Sequence, residues 1–306
     1  MTEFVFPINI FSRDIPQNFR EFKNKHYKDM VKTILIEDNK VFERFVDNLI
    51  SELCADKDFN TSILTGIDKL YIMLILRAQC VSHEITFTSE TTDDEKAQVK
   101  IPVSMAEIIE TLGGYELEYT YTVTDGKIKI DGTLPKGLYY EDVYDVAADT
   151  LSSITFNGTV TDVTKISLQK KRNILSTLPS FVLPEILTYI QKQDEIVKEK
   201  PIISINTQKK LPFNTKFDMH LYNGTIPEII KMLFNTQLKE FYNNEYILMR
   251  RFKFSYEAIQ ECTPLELAMY YDIIHSDIER EKAEQEQQSK GGSLDPAPSA
   301  MAPESG

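Results

Sequence analysis

The stretch Tyr115-Glu-Leu-Glu-Tyr-Thr-Tyr-Thr-Val123, followed by Asp125-Gly126 and Lys127-Ile-Lys-Ile130, decides the fold class. Large apolar and polar residues alternate strictly across the first of these segments, which is the period of a half-buried β-strand. Asp-Gly is a preferred pair for a type I′ hairpin turn, and the alternation resumes after it. We therefore predict an antiparallel hairpin here, within one small sheet that spans residues 83–134.

A second alternating pair follows nearer the C-terminus, and most of the remaining chain has helical periodicity. Pro201–Thr207 and Lys216–Leu221 alternate, and the polar residues 208–215 join them. Apolar residues recur at spacings of three and four in the segments predicted as helices. These segments are 41–53, 67–78, 104–112, 138–151, 167–178, 180–197, 236–250, and two that begin near Thr225 and Thr263. The predicted fold is α+β, mainly helical with two small antiparallel β inserts.

Length and composition predict four segments. A chain of 306 residues is long enough for about two domains with a real core. We predict an N-terminal arm at 1–25, helices with the first hairpin insert at 26–137, and helices with the second insert at 138–282. Residues 283–306 are charged and Gln-rich, then rich in Gly, Ser and Pro, and are predicted to be a disordered tail.

The charge balance argues against several classes of protein. Lys and Arg number 34 against 47 Asp and Glu, which gives a formal charge of −13. Neutralising nucleic-acid phosphates needs clustered Lys and Arg, so we predict no nucleic-acid binding. The longest apolar run, Leu70–Leu76, is far shorter than the roughly 20 residues of a membrane span. The N-terminus has an acid at Glu3 and no basic region, so no signal peptide is predicted and the chain is expected to fold in a reducing cytoplasm.

The sequence has no recognisable catalytic or cofactor motif. It lacks G-x-G-x-x-G, G-x-x-x-x-G-K-S/T and G-x-S-x-G. Cys54, Cys80 and Cys262 are widely spaced, so they are interpreted as reduced, buried side chains. The four His residues fall at no metal-ligand spacing. We therefore predict no enzyme activity, no metal, no cofactor and no small-molecule substrate.

One acidic cluster keeps an alternative open. Glu141, Asp142, Asp145 and Asp149 lie on one face of the predicted helix 138–151. They are the residues that a metal-dependent enzyme would use, but a Ca²⁺ loop wants alternating ligands and a turn glycine. A solvated helix face is the favoured interpretation.

Two aromatic segments are candidates for contacts with other molecules. Residues 3–11 are apolar and contain Phe4, Phe6 and Phe11, which suits either an edge strand or an arm that docks on a partner. Arg250-Arg-Phe-Lys-Phe-Ser-Tyr256 is basic and aromatic, a combination that binds RNA in some proteins. The acidic balance of the chain favours core packing or a protein contact instead.

Several segments together resemble a family of baseplate proteins from T-even-type contractile-tailed phages, which includes a baseplate hub assembly protein. The resemblance covers about residues 20–282. It is carried by Asp68–Arg77 followed by Cys80–Thr88, by Asn173–Leu187, by the second β pair, and by Glu240–Glu266 with its Phe252-Lys-Phe-Ser-Tyr-Glu257 core. Relatives often carry C-x-x-C pairs in the β parts, but residues 81–261 contain no Cys here. The resemblance therefore implies zinc-ribbon-like hairpins without the cysteines, held by Tyr115, Leu117, Tyr119, Tyr121 and Val123.

The resemblance implies a non-enzymatic structural or assembly component of a phage tail baseplate hub. Such a protein would be assembled in the host cytoplasm and reside in the virion baseplate. Its expected partners are hub proteins, with tape-measure and wedge proteins as further candidates. Two roles stay open, a hub subunit carried in the virion and an assembly chaperone that leaves before maturation. The residues expected to bind partners are Phe4, Phe6, Phe11, Arg250, Arg251, Phe252, Phe254 and Tyr256.

Overall fold

A computed structural model describes residues 4–90, 98–205 and 215–291 of the chain. Contacts divide the chain into two compact units, Met1–Pro264 and Leu265–Gly306. The predicted arm at 1–25 and the predicted boundary at 137/138 both fall inside the first unit. One hydrophobic core serves that unit, and it contains side chains from the N-terminal strands through to Phe234.

Helices form most of the described chain. In order they are α1 (Asn24–Ile34), α2 (Asn39–Leu53), α3 (Gly66–Cys80), α4 (Met105–Gly113), α5 (Val143–Thr150), α6 (Leu168–Thr177), α7 (Val182–Glu199), α8 (Thr225–Phe234), α9 (Leu238–Phe252), α10 (Tyr256–Glu261) and α11 (Pro264–Gly291). Four small antiparallel sheets complete the described fold: β1 (Val5–Ile8) with β2 (Gln17–Arg20), β3 (Glu84–Glu90) with β4 (Gln98–Ser104), β9 (Ile203–Ile205) with β10 (Thr215–Phe217), and a four-stranded sheet of β5 (Thr120–Thr124), β6 (Ile128–Thr133), β7 (Leu151–Phe156) and β8 (Thr159–Asp162). The prediction of a mainly helical α+β fold is confirmed.

Local capping chemistry starts the helices where the sequence indicates. The Asp38 carboxylate accepts hydrogen bonds from the backbone N–H groups of Lys40 and Val41, which begins α2. Thr65 and Asp68 form a reciprocal capping box at the start of α3, and α3 then runs through the centre of the core. At α5 the predicted start was too early, because Asp142 is the N-cap and the helix begins at Val143.

The central hairpin is confirmed, with three corrections. Residues 83–134 form two separate ladders, β3–β4 and β5–β6, because α4 lies between them. The strand begins at Thr120 and not at Tyr115, since α7 side chains bind the preceding backbone: Gln193 accepts from the N–H of Glu118, and the Tyr189 hydroxyl donates to its carbonyl. The turn is not type I′, because Gly126 has a positive φ (87°) and Asp125 does not. The Asp125 carboxylate accepts hydrogen bonds from the backbone N–H groups of Lys127 and Ile128.

The hairpin β7–β8 was not predicted, and it raises the number of strands in the central sheet from two to four. Its turn is Asn157-Gly158, with φ values of 48° and 82°, both in the left-handed region that a type I′ turn requires. β7 pairs with β6, so the four strands lie in the order β5-β6-β7-β8. β8 therefore lies at one edge of the sheet, and all four of its residues are exposed.

The N-terminal segment is a core-packed hairpin. β1 pairs with β2 in the register Val5↔Arg20 to Ile8↔Gln17. Ile8 and Ile10 are each 2% exposed and lie in the core. The predicted arm at 1–25 is therefore an edge strand and a core element, which was the other interpretation left open for this segment.

The second compact unit contains helix α11, which begins at Pro264 as predicted. The helix continues through the charged residues to Gly291 and so includes residues 283–291 of the segment predicted as a disordered tail. The rest of that tail lies outside the described residues. Of the helices that the structure describes, none combines the length and apolar character needed to cross a membrane.

Candidate functional site

Helix α9 has one face in the core and an opposite face rich in aromatic residues. Phe241, Glu245 and Leu248 are buried and attach the helix to the rest of the first unit. Tyr242, Tyr246 and Ile247 remain 45%, 51% and 38% exposed. Residues three or four positions apart lie side by side on a helix, so Tyr242, Tyr246 and Arg250 form one continuous row.

We call this surface the α9 stripe; its members are Tyr242, Tyr246, Ile247, Arg250 and Tyr256. The guanidinium of Arg250 lies 5.7 Å from the centre of the Tyr246 ring and donates a hydrogen bond to the Tyr246 hydroxyl. This cation–π contact fixes two long side chains against each other before any partner arrives. Tyr256, at the start of α10, is 46% exposed and extends the surface beyond α9.

Lys28 of α1 lies beneath the stripe and contacts both α9 and α10. The Lys28 ammonium lies 5.7 Å from the Phe241 ring centre, 4.6 Å from that of Tyr242 and 5.1 Å from that of Tyr256. Lys28 also donates a hydrogen bond of 3.3 Å to the Tyr256 hydroxyl. Because Tyr242 and Tyr256 contact the same ammonium, α1 holds both tyrosines close together.

The charge of Lys28 is balanced inside the protein. Its ammonium lies 2.8 Å from the carboxylate of Glu245, and both side chains are less than a tenth exposed. Burial opposes the charged form, but the hydrogen bonds to Glu245 and Tyr256 outweigh it and raise the pKa of Lys28. Glu245 also accepts from the amides of Asn24 and Gln260. This network connects α1, α9 and α10, so the stripe rests on a rigid base.

The residues predicted from the basic-aromatic segment separate into two groups. Arg250 and Tyr256 lie in the stripe, and Arg251 is exposed beside it. Phe252 and Phe254 are half-buried, so they contribute mainly to packing. Tyr242, Tyr246 and Ile247 were missed, although the i, i+4, i+8 spacing of Tyr242, Tyr246 and Arg250 is a signal that the sequence contains.

The three predicted N-terminal phenylalanines have different surroundings. Phe4 is 61% exposed, and its ring centre lies 6.2 Å from that of Phe6. Phe6 packs against the core from β1. Phe11 packs on Tyr71 and Tyr119, with ring centres 4.4 and 6.2 Å away, and so belongs to the interior. Among the three, Phe4 is the one that a partner protein can reach.

The acidic cluster on α5 has structural partners of its own. Glu141 pairs with Lys40, while Asp142 and Asp145 both pair with Arg172. The Asp149 carboxylate accepts from the backbone N–H groups of residues 136 and 137 and from the Tyr140 hydroxyl. Asp142 therefore caps α5 and Asp149 holds a loop, while Glu141 is exposed to solvent as predicted.

Histidine and carboxylate geometry gives no metal centre within the part of the chain that the structure describes. No group of three or more His, Cys, Asp or Glu side chains there is arranged to hold an ion. His220 is partly buried, and its ring nitrogen Nδ1 lies 3.4 Å from the buried carboxylate of Asp194. Asp194 also accepts from the backbone N–H of Leu221, so this pair anchors a loop on α7.

Tyrosine, arginine and isoleucine on one exposed face form the kind of surface that protein interfaces use at their centres. Aromatic residues and Arg are enriched at such interfaces and carry most of the binding energy. The stripe presents these side chains on a helix whose other face is fixed by a buried ion pair. Such a surface is suited to contact with another protein.

Comparison with known proteins places the chain in a family. No curated protein and no solved structure matches it. A family model described as T4 bacteriophage base plate protein matches residues 1–219, which is more than half of the 306 residues. The matched region includes β1 to β10 and the helices α1 to α7, and the α9 stripe lies beyond it. The chain belongs to the T4 bacteriophage base plate protein family.

Proposed function

We propose that this protein is a hub component of the phage baseplate and that it binds neighbouring baseplate proteins through the α9 stripe. Family membership indicates a structural baseplate component that contacts other tail proteins. The hub position and the role of the stripe are the proposal. Hub, tape-measure and wedge proteins are the classes of partner that it would bind.

The observation that carries the proposal is the exposed Tyr-Arg row over a buried ion pair. Leaving Tyr242, Tyr246 and Tyr256 each at least 45% exposed costs free energy unless something covers them. Their order before binding lowers the entropy lost when a partner docks. The match to the family ends at residue 219, so the role of the stripe rests on this geometry.

Affinity capture from infected cells tests the proposal. The tagged chain and a Tyr246→Ala/Arg250→Ala variant are used as baits, and the captured tail proteins are quantified by mass spectrometry. Truncating central Tyr and Arg residues typically costs about 2 kcal/mol or more, so we expect a loss of at least about tenfold in captured baseplate protein. A Tyr144→Ala/Arg44→Ala variant is the matched control, because Tyr144 is 47% exposed and lies on α5.

Two outcomes would contradict the proposal in different ways. Equal capture by the wild-type chain and the stripe variant would show that binding uses another surface. Equal losses in the stripe and control variants would show that the effect is nonspecific. An assembly chaperone would pass this test as well, and the composition of the finished particle separates it from a resident hub subunit.

A further inference from the structure

The outer edge of strand β8 has a pattern of free backbone groups that matches a second copy of itself. The hairpin closes with the pair Phe156↔Thr159 across a two-residue turn, and the register continues through Thr155↔Val160 and Ile154↔Thr161 to Ser153↔Asp162. In an antiparallel ladder the pairs alternate between those that exchange hydrogen bonds and those that do not. Thr159 and Thr161 therefore bond β7, while Val160 and Asp162 direct their N–H and C=O groups away from it.

A hydrogen bond beyond the strand supports this assignment. The N–H of Val163 donates to the carbonyl of Ser152 at 2.9 Å, which continues the same alternation by one more bonded pair. Val163, Thr161 and Thr159 thus face β7. The N–H and C=O of Val160 and Asp162 make four outward groups on an edge whose residues are all exposed.

Strand β8 has no proline or lysine along its edge, and its protection consists of its four-residue length and the charge of Asp162. Natural sheets block their edges with proline, lysine, a bulge or a covering element. In β1 the edge includes Pro7, whereas β8 reads Thr-Val-Thr-Asp, with high β-propensity at its first three positions. Val160 is 65% exposed, so the edge also carries an uncovered apolar side chain.

We propose that two copies of this chain associate by antiparallel pairing of β8 with β8 of the second copy, which joins their sheets into one. The two-fold axis passes between the two Thr161 residues. Val160 of each copy then exchanges hydrogen bonds with Asp162 of the other, and all four outward groups of each strand are satisfied. The edge is complementary to itself, so a second copy of the chain fits it with every outward backbone group paired.

The side chains tolerate this register. Thr161 lies opposite its own copy, and Thr–Thr pairs across strands are favourable. Asp162 lies opposite Val160 of the second copy, so no like charges face each other directly. The Asp162 carboxylate already accepts bonds from the backbone N–H and hydroxyl of Thr164, at 2.8 and 2.6 Å, and needs no cation from the partner.

The short edge makes the association weak and sensitive to salt. Pairing two strands of four residues buries less than the roughly 1,200 Å² of a stable interface, so the dimer forms at high protein concentration. Each chain carries a charge of −13, and salt screens the repulsion between two such chains. We expect association to strengthen as ionic strength rises, which is the opposite of an interface held by salt bridges.

Cysteine trapping tests the register directly. Residues opposite each other in a non-bonded antiparallel pair have Cα atoms about 4.5 Å apart, within the range that a disulfide spans. Under mild oxidation the full-length Thr161→Cys variant should form a covalent dimer at least about tenfold faster than Thr120→Cys, which places a cysteine on the opposite edge of the same sheet. The wild-type chain controls for Cys54, Cys80 and Cys262. Equal rates for the two variants would overturn the proposal.

A proline variant distinguishes the edge from other dimer contacts. The N–H of Val160 makes no bond to β7, so Val160→Pro should leave the melting temperature close to that of the wild-type chain while it abolishes concentration-dependent dimerisation in analytical ultracentrifugation. A Val160→Lys variant gives the same expectation without a change in backbone. A wild-type chain that stays monomeric at millimolar concentration and high salt, or a dimer that persists in both variants, would overturn the proposal. Neither result bears on the α9 stripe, because β8 and α9 are separate elements.

Discussion

At the scale of single residues, burial decides which of the N-terminal aromatics stabilise the fold. Phe11 contacts Tyr71 and Tyr119, while Phe4 is 61% exposed. Removing a half-buried ring leaves a cavity, so we expect Phe11→Ala to lower the free energy of unfolding by about 2–4 kcal/mol. Phe4→Ala should change it by less than about 0.5 kcal/mol. Urea unfolding of both variants measures the difference, and equal effects would contradict the interior position of Phe11.

The buried ion pair between Lys28 and Glu245 gives a second prediction. Lys28→Met removes the partner of a buried carboxylate, and leaving one buried charge alone typically costs about 3–5 kcal/mol. The matched control is Lys32→Met on the same helix, because Lys32 pairs with Asp29 in an exposed position. We expect the control to cost less than about 1 kcal/mol in the same unfolding experiment.

A double variant separates the charge from the packing. If the loss in Lys28→Met comes from the lone Glu245 carboxylate, then Lys28→Met/Glu245→Met should recover part of the stability. If the double variant loses more free energy of unfolding than the two single variants lose together, the lone carboxylate is not the source of the loss.

Residue patterns predicted the candidate surface only in part. Arg250 and Tyr256 were identified from their composition, and the structure places both in the α9 stripe. Phe252 and Phe254 belong to the same basic-aromatic segment but pack partly inward. The reason is that α9 ends at Phe252 and that Lys253 takes a left-handed conformation with φ of 61°. That reversal sets which rings face solvent, and it depends on contacts with α1 and α10 that sequence periodicity does not contain.

At the scale of elements, a pair of lysines connects α1 to α10. The Glu261 carboxylate at the end of α10 contacts the ammonium groups of Lys23 and Lys25, and these hydrogen bonds lower the pKa of Glu261 to about 2. An acid whose folded pKa is depressed stabilises the fold above its unfolded pKa, near 4.5, and loses that contribution as pH falls toward about 2.

The Glu261→Gln variant should remove this pH dependence. Because Glu261 is 53% exposed, solvent screens the pair, and we expect the difference from the wild-type chain to be at most about 1 kcal/mol at neutral pH. The difference should shrink as pH falls from 4.5 toward 2 and as salt is added. Thermal unfolding of both chains across this pH range measures the difference. A difference that stays constant with pH would contradict the contact between Glu261 and the two lysines.

Elements with strong local signals were predicted, and those defined by distant partners were not. The apolar spacing of the helices predicted at 41–53 and 67–78 is a local signal, and α2 and α3 lie there. Strand β2 was missed because Gln17–Arg20 has little alternation and becomes a strand by pairing with β1. The β7–β8 hairpin was not predicted, although Asn157-Gly158 is a strong turn signal in the sequence.

At the scale of the whole molecule, the helical α+β fold and the family were both predicted from the sequence. The predicted segment boundaries at 25/26 and 137/138 stay predictions, and both positions lie inside the compact unit that ends at Pro264. Ile8, Leu70 and Phe234 lie far apart in sequence but belong to one core. A boundary is set by such long-range contacts, which local composition does not reveal.

The central claim is that this chain is a resident structural component of the phage baseplate. Quantitative mass spectrometry of purified phage particles tests it most directly, with the chain measured against the other baseplate proteins in the same sample. We expect the chain in a fixed ratio to those proteins, and retained when loosely bound material is removed with high salt. Absence from purified particles, together with capture of tail proteins from infected-cell lysate, would contradict the claim and identify an assembly chaperone instead.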